Sequence, residues 1–567
     1  MTTTTDRPTA ATDGPTATTE ARPAPAIVAG ADAYDAIIVG GGHNALVAAA
    51  YLARAGRRVV VLERRERVGG AAETADLGGV RVPRLAHTVG RLRPSVVRDL
   101  GLRSHGLRLA SPDVRVFAPA ADGRAVTLWA DQARTVDSLR AWSDRDADAY
   151  PDFDRLVRSL GRFLGDIAAQ TPPDIKSPGL GDALAGLKLG RTFRGLGKRD
   201  AHTILRVLPM AIADFVAEAF ETDAVRAAIA WRGVQYCAAG PWSAGTTAVF
   251  LGDSAGNDGG AAGQTVFAIG GPGALSAALD GAIVAAGGEV RTGADVVAIT
   301  SRDGAVTGVA LASGEEIASS VVVSGLDPKR TLTTLCDPVA VGPSMLWRAG
   351  NLRTPGVVSK VNLVLDALPR FAAAGGDDEA LLRGRILLAP GIDALERSHD
   401  ASKYGRVGES LVMEATIPLL VDPSLVEDAA AGSHVMSVVV QYTPYVLRDG
   451  SWDEAERREG VANAVIGALS DLAPGFASLV REREVLTPLD LERDYGLTGG
   501  HPLHGEPGLD QFFLWRPFLG HARYRLVLDG LYLAGSGAHP GGGVTGQPGQ
   551  NAAREILADL RARRRRR

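Results

Sequence analysis

Three glycines and one acid stand at spacings that can hold a dinucleotide. Residues 34–63 read YDAIIVGGGHNALVAAAYLARAGRRVVVLE. Gly40 allows a sharp exit from an apolar run, and Gly42 lets the backbone approach a pyrophosphate. Ala45 stands at the third position of the fingerprint, where a small residue lets helix and strand pack closely. The helix starting here offers free N–H groups and a partial positive charge to phosphate, with His43 and Asn44 in the cofactor shell. Glu63, 23 residues after Gly40, can accept from ribose hydroxyls. The alternative, a chance glycine turn in a chain with 69 Gly, does not explain the acid after the second apolar run.

Proton chemistry would fall to histidine. His87, His504 and His539 are the candidate catalytic residues: His504 and His87 as residues facing the substrate cavity, and His539 within reach of the cofactor, with a structural hydrogen bond to backbone as its alternative. Cys237 and Cys336 stand 99 residues apart, too far in sequence for a CxxC redox pair, and read as buried structural residues. No metal-ligand spacing, GxSxG or Walker loop is present, so no metal is expected.

The elements that must position these groups are of α/β type. A strand–helix–strand unit opens the fold. Short strands are predicted at 114–117 and 126–129, and helical periodicity over about 137–235. Residues 264–292 read as strand, turn, helix, strand. Their Gly271-Pro272-Gly273 turn is a near-match to a second fingerprint, rejected because Glu289 starts the next strand instead of ending it. A hairpin is predicted at 294–310, and the apolar run 321–323 returns to the first sheet. Strands at 358–365, 411–417 and 434–442 and a helix at 452–472 make a second domain. The predicted organisation is a disordered tail (1–32), FAD-binding segments (33–136, 261–330 and 526–560), a helical lid (137–260), a substrate domain (331–525) and a basic tail (561–567).

The first twenty residues hold nine Thr and no apolar segment of a secretory signal. The last seven hold six Arg, read as a solvated, disordered tail, or alternatively as a weak contact with anionic lipid. A net charge of −4 gives no general attraction to nucleic acid. No apolar run is long enough to span a membrane. The expectation is a cytoplasmic protein, peripherally membrane-associated if the basic tail acts, and its oligomeric state stays open.

The cofactor is specified by resemblance. Arg64 to Glu73 reads RRERVGGAAE, and its Gly69-Gly70 pair resembles the extension found in flavoproteins of the phytoene desaturase and amine oxidase superfamily. Further matching pieces are VVSGLDPKRT (322–331), KVNLVLDALPRF (360–371), VLTPLDLE (485–492) and GSGAHPGGGVTGQPGQNAA. They cover about residues 34–560. The chain is identified as a member of the phytoene desaturase-related FAD oxidoreductases, most similar to the branch of pyridine nucleotide-disulfide oxidoreductase domain-containing protein 2. The missing thiol pair excludes the disulfide-reductase chemistry of that name.

The resemblance implies a Rossmann-like FAD-binding domain of the glutathione-reductase/amine-oxidase type, with a mixed α+β substrate domain and helical lid. It implies that Arg64, Gly69, Gly70, Ala71 and Ala72 continue along the cofactor and that Val297 neighbours the adenine. Gly535, Ser536, Gly543, Val544 and Thr545 would face the flavin at the start of a helix over 544–557. There are three departures from the family: Ala45, Gly325-Leu326 in place of Asn-Ala, and His87. The last two are assigned to substrate differences.

The implied activity is desaturation or dehydrogenation at C–C bonds of an apolar polyene or isoprenoid-like small molecule, by hydride transfer at flavin N5. The alternatives are reductive cyclisation of a polyene or polyketide natural product with NAD(P)H as electron donor, an amine oxidase, and a non-catalytic flavin-binding regulator. The substrate and the direction of hydrogen transfer are not legible. Ala, Gly and Arg content suggests a bacterial source.

Overall fold

The computed structural model describes residues 34–175, 178–376, 378–426 and 432–566. The tail expected at 1–32 lies outside them.

The opening unit forms as read: β1 (Ala36–Val39), α1 (His43–Arg54) and β2 (Val59–Leu62). Both strands are wholly buried apolar runs, as parallel strands covered on both faces must be. They are central in a five-stranded parallel sheet ordered Leu531–Leu533, Val322–Ser324, β1, β2, Glu289–Arg291. Sequence segments some 490 residues apart therefore share one sheet, and the chain crosses between the two domains repeatedly. Small residues permit the packing. A Cβ on Gly549 of the helix Gln547–Arg566 would lie 2.0 Å from the Asn44 carbonyl oxygen of α1.

The second sheet has seven strands, ordered Val480–Leu486, Val358–Leu365, His434–Gln441, Val412–Thr416, Arg385–Leu388, Val114–Pro119, Ala125–Trp129. This corrects one predicted boundary. The strands at 114–119 and 125–129 lie inside the expected first FAD-binding segment, yet they extend the substrate-domain sheet. Conversely, Leu332, Met345, Ala349, Phe518 and Tyr524 of the expected substrate domain pack in the core of the five-stranded unit. Strand propensity is legible locally, whereas sheet membership depends on partners remote in sequence.

Period-two alternation divides the seven-stranded sheet. Val361, Leu363, Met413, Ala415, Val438 and Val440 face a core covered by the helix Ala455–Leu472. Lys360, Val439 and Glu414 occupy the other face in one row, since Val439 pairs with both Lys360 and Glu414.

The lid is helical as expected, from Gln132–Arg140 to Thr246–Asp253. Its core is aromatic, with the ring of Phe153 5.0 Å from Phe220 and 5.2 Å from Phe215. The C-terminal helix begins at Gln547, three residues later than predicted, because Val544 has φ +56° and Gly546 φ +70°. It runs to Arg566, so residues 561–566 of the basic segment expected as a disordered tail are the end of that helix. Both cysteines are buried and free. No described helix is long and apolar enough to cross a membrane.

Candidate functional site

The first loop is built from backbone. Gly40 N–H donates to Leu62 O at 2.8 Å, and Gly69 N–H donates to Gly41 O at 2.8 Å. The loop at 69–72 is thereby clamped against the start of α1, and Gly42 and Gly69 form a bridge. Gly69 has φ +128°, and a Cβ there would lie 2.5 Å from Ser276 Oγ and 2.6 Å from Ala72 O. Ser276 Oγ donates to Ala72 O at 2.8 Å, and Thr74 Oγ1 accepts from Gly273 N–H at 2.9 Å. The Gly271-Pro272-Gly273 turn therefore braces the first loop from behind.

Ala45 and Gly325, two of the departures, are one packing exchange: a Cβ on Gly325 would lie 2.6 Å from that of Ala45. Leu326 packs against Gly40. Gly325-Leu326 consequently belongs to the dinucleotide loop, correcting its assignment to substrate differences.

Glu63 is buried. Its Oε2 accepts from Gly41 N–H at 2.7 Å and its Oε1 from Arg65 N–H at 2.9 Å. A carboxylate has about four acceptor positions, so two stay available to hydroxyls. Arg64 instead turns its guanidinium to the carbonyls of Arg493 and Asp494, at 2.8 and 2.9 Å. Val297 is exposed, in the strand entered from Ala294, whose N–H donates to Glu63 O at 2.8 Å. That placement leaves Val297 free to border an adenine.

At the start of α1, Gly42 provides no side-chain cap and a Cβ there would meet nothing within 4 Å. Buried His43 Nε2 and Asn44 Oδ1 have no partner. Asn44 Nδ2 donates to Ser536 Oγ at 3.1 Å, tying the first loop to the last. Gly535 packs on Gly325. An uncapped helix start beside His43 Nε2, which can donate, suits a phosphate, while the Asn44 Oδ1 acceptor suits a hydroxyl of the same ligand.

From this loop a cavity of about 1860 Å³, part of it open to solvent, extends between the two domains and under the lid. His43, Ala71, Ser536, Gly543, Val544 and Thr545 line it on the loop side. Leu164, Ile167, Ala248 and Val249 line it from the lid, and Lys360, Arg385, Glu414 and Val439 from the seven-stranded sheet.

The three catalytic candidates separate here. His87 lies on the sheet-side wall, buried. Its Nε2 stands 3.1 Å from Glu414 Oε1, and Lys360 Nζ stands 3.3 Å from its Nδ1. A carboxylate partner requires that Nε2 carries the hydrogen, leaving Nδ1 to accept from Lys360. Glu414 also accepts from Gln235 Nε2, Trp231 Nε1 and Arg385 Nη1, at 3.0–3.1 Å. Burial works against ionising Glu414, but Arg385 and His87 outweigh it and hold its carboxyl down at about 2. Burial also lowers His87, with Lys360 adding to the effect. Burial pushes the Lys360 ammonium down to about 7, against the pull of Glu414 and Glu484.

His539 is on the wall, but its Nε2 donates to Ile167 O at 3.3 Å and its ring stands edge-on to Phe513. Burial holds it at about 3, so it is a neutral link between the 535–545 loop and the lid. That is the structural alternative. His504 is not on the wall. It sits behind the loop with φ +60°, close to His43 and Asp327, and burial holds it at about 4. A substrate-facing His504 is thereby corrected. Asp327 caps the turn as expected, accepting from Arg330 N–H at 2.8 Å.

Sequence reading missed Lys360, Arg385, Glu414 and Arg516. The signal existed for three of them: each is a charge interrupting an otherwise buried strand. Arg516 lies outside regular structure and binds the carbonyls of Leu503 and Ser536, at 3.0 and 2.8 Å. Among the described residues, Glu396, His399 and Asp400 bring ligand-type atoms within 4.8 Å of one another. Glu396 and Asp400 are already engaged, by Trp242 N–H and Lys403.

An NAD(P)-binding Rossmann-like domain profile matches residues 38–100. The chain is 35% identical to pyridine nucleotide-disulfide oxidoreductase domain-containing protein 2 of Rattus norvegicus, over 93% of this chain and 94% of that one. It is 24% identical to a neurosporene-forming phytoene desaturase of Rhodobacter capsulatus, over 93% of both chains. Cyclohexylamine oxidase of Brevibacterium oxydans shares the fold, with a TM-score of 0.55 and 16% identity across 94% of this chain and all of that one. With its fingerprint loop, parallel sheet and interdomain cavity in place, the chain belongs to the family of pyridine nucleotide-disulfide oxidoreductase domain-containing protein 2, a branch of the phytoene desaturase-related FAD-dependent oxidoreductases.

Proposed function

We propose that this oxidoreductase binds FAD across the first loop and the 535–545 loop and dehydrogenates a C–C bond of a polyene or isoprenoid-like substrate held in the cavity beneath the lid. The observation that carries the reading is one cavity running from the uncapped start of α1 to the buried Lys360–His87–Glu414 chain. Its lining runs from His43, Ser536 and Thr545 on the loop side to Lys360 and Glu414 on the sheet side, so the place read for the cofactor and the place read for the substrate are continuous.

The residues fit the group. The open space above Gly42, the partnerless His43 Nε2 and Asn44 Oδ1, and the spare acceptor capacity of Glu63 suit a pyrophosphate with its ribose. Gly543, Val544 and Thr545 would border the ring system. Bound FAD would supply the acceptor of a hydride.

Dehydrogenation also requires a proton to leave the neighbouring carbon, so that a C=C bond remains. Lys360 can take it. Burial disfavours its ammonium and brings it down to about 7, so a neutral amine is accessible near neutral pH. His87 Nδ1 receives a hydrogen bond from Lys360, and Glu414 fixes the tautomer that makes this contact. Leu85, Leu164, Ile167, Val358 and Phe512 exclude water and give an apolar chain its contacts.

The test is anaerobic titration of the purified protein. It should be yellow, and an isoprenoid or polyene should bleach it. Protein that takes up no FAD defeats the reading. Bleaching by an amine alone transfers it to amine oxidation, bleaching by NADPH alone to the reductive direction, and bleaching by nothing to a non-catalytic flavin-binding role.

A further inference from the structure

The lid-side wall of the cavity carries more positive charge than the protein neutralises. Arg91, Arg93 and Arg232 line it with a single carboxylate, Asp253. Arg232 takes that carboxylate at 2.6 Å, and Arg91 reaches it only at 3.6 Å. Arg93 is 7% exposed and has no carboxylate partner among the described residues. Its Nη1 donates to Ala255 O at 2.7 Å, while its Nε is buried without a hydrogen-bond partner, and the Arg91 Nε has only the 3.6 Å ion pair with Asp253. Burial lowers Arg93 to about 10, which leaves it charged at neutral pH.

A buried guanidinium without a counter-charge is costly, and a planar fork matches an oxyanion best. The cofactor's phosphates have a separate place at the start of α1. Arg93 instead joins the lid at Ala255 to the loop at Thr545, through its Nη1 and its backbone N–H. Leu164, Ile167 and Val249 make the neighbouring wall apolar.

We propose that Arg93, with Arg91, binds an oxyanion, carboxylate or phosphate, carried at one end of an otherwise apolar substrate. This rests on the reading of the cavity as the substrate site and narrows it from a hydrocarbon to an anionic amphiphile.

Calorimetric titration of FAD-loaded protein with geranylgeraniol, geranylgeranyl monophosphate and geranylgeranoic acid tests it. At least one charged chain should bind tenfold or more tightly than the alcohol, and whichever of acid and phosphate is stronger identifies the group. Arg93→Met should erase that preference, leaving alcohol binding and FAD content unchanged, and Arg93→Lys should retain part of it. Equal binding of charged and uncharged chains, or binding of none, overturns the proposal. Loss of FAD from Arg93→Met does so too, assigning the arginine to the cofactor. The wild-type comparison needs no variant, and heat of binding is read without flavin bleaching. A failure of the dehydrogenase reading therefore stays distinguishable from a failure of the anionic subsite.

Discussion

Around the start of α1 the chemistry rests on backbone: glycine turns, a helix start with no side-chain cap and one carboxylate, nearly all within residues 40–72. Across the same cavity it rests on side chains. Lys360, Arg385 and Glu414 come from three strands, and His87 from a loop 273 residues before Lys360. The first region tolerates no added atoms at Gly41 or Gly69 and leans on few side chains, Glu63 foremost. The second tolerates no missing partner, because each charge is satisfied by the next. A backbone site is fixed by local turn geometry, whereas a buried ionic chain exists only once the sheet register has aligned it.

Substitutions at the two regions should fail differently. Gly69→Val should have the largest effect. A side chain at φ +128° and 2.5 Å from Ser276 Oγ would displace the loop, costing at least about 3 kcal/mol, so the purified protein should carry no FAD by absorbance. Retained flavin would show that the loop yields more than its packing implies.

Lys360→Met should keep the flavin and lower kcat by about 100- to 10,000-fold, the range for a lost general base. In the wild type, kcat should fall as the pH drops through about 7, since protonation removes the base. That limb should disappear from the residual activity of the variant. A limb that persists would assign the proton to another group.

Glu414→Gln should leave Arg385 without its counter-charge and cost about 3–5 kcal/mol of stability, measured by chemical denaturation. The smallest effect is expected at His539→Gln. Losing the bond to Ile167 O should cost about 1 kcal/mol and leave the pH limb near 7 in place. A displaced limb would return His539 to the chemistry.

Legibility followed the same division. The loop, Glu63 and the first strand–helix–strand unit were readable because their meaning lies in short-range spacing. The strand at Val358–Leu365 was readable too, but the Lys360 within it passed as part of an apolar pattern. His87 was singled out, and its partners were not, because nothing in the sequence marks residue 414 as a neighbour of residue 87. His504 and His539 looked alike as histidines in glycine-rich segments. Only burial and hydrogen bonding separate a link to the lid from a residue behind the loop.

The sequence by itself determined that a dinucleotide fingerprint opens the fold, that the thiols form no redox pair, and that a second domain and a helical lid accompany it. These follow from periodicity, glycine placement and spacing, which act over a few residues. Only the tertiary structure decided which sheet the strands at 114–129 join, that Ala45 and Gly325 compensate each other, and that Lys360, His87 and Glu414 meet. It also decided that Arg93 is buried without a counter-ion. Each of these depends on burial and on partners distant in sequence, and a buried charge acquires its energy only from what surrounds it after folding.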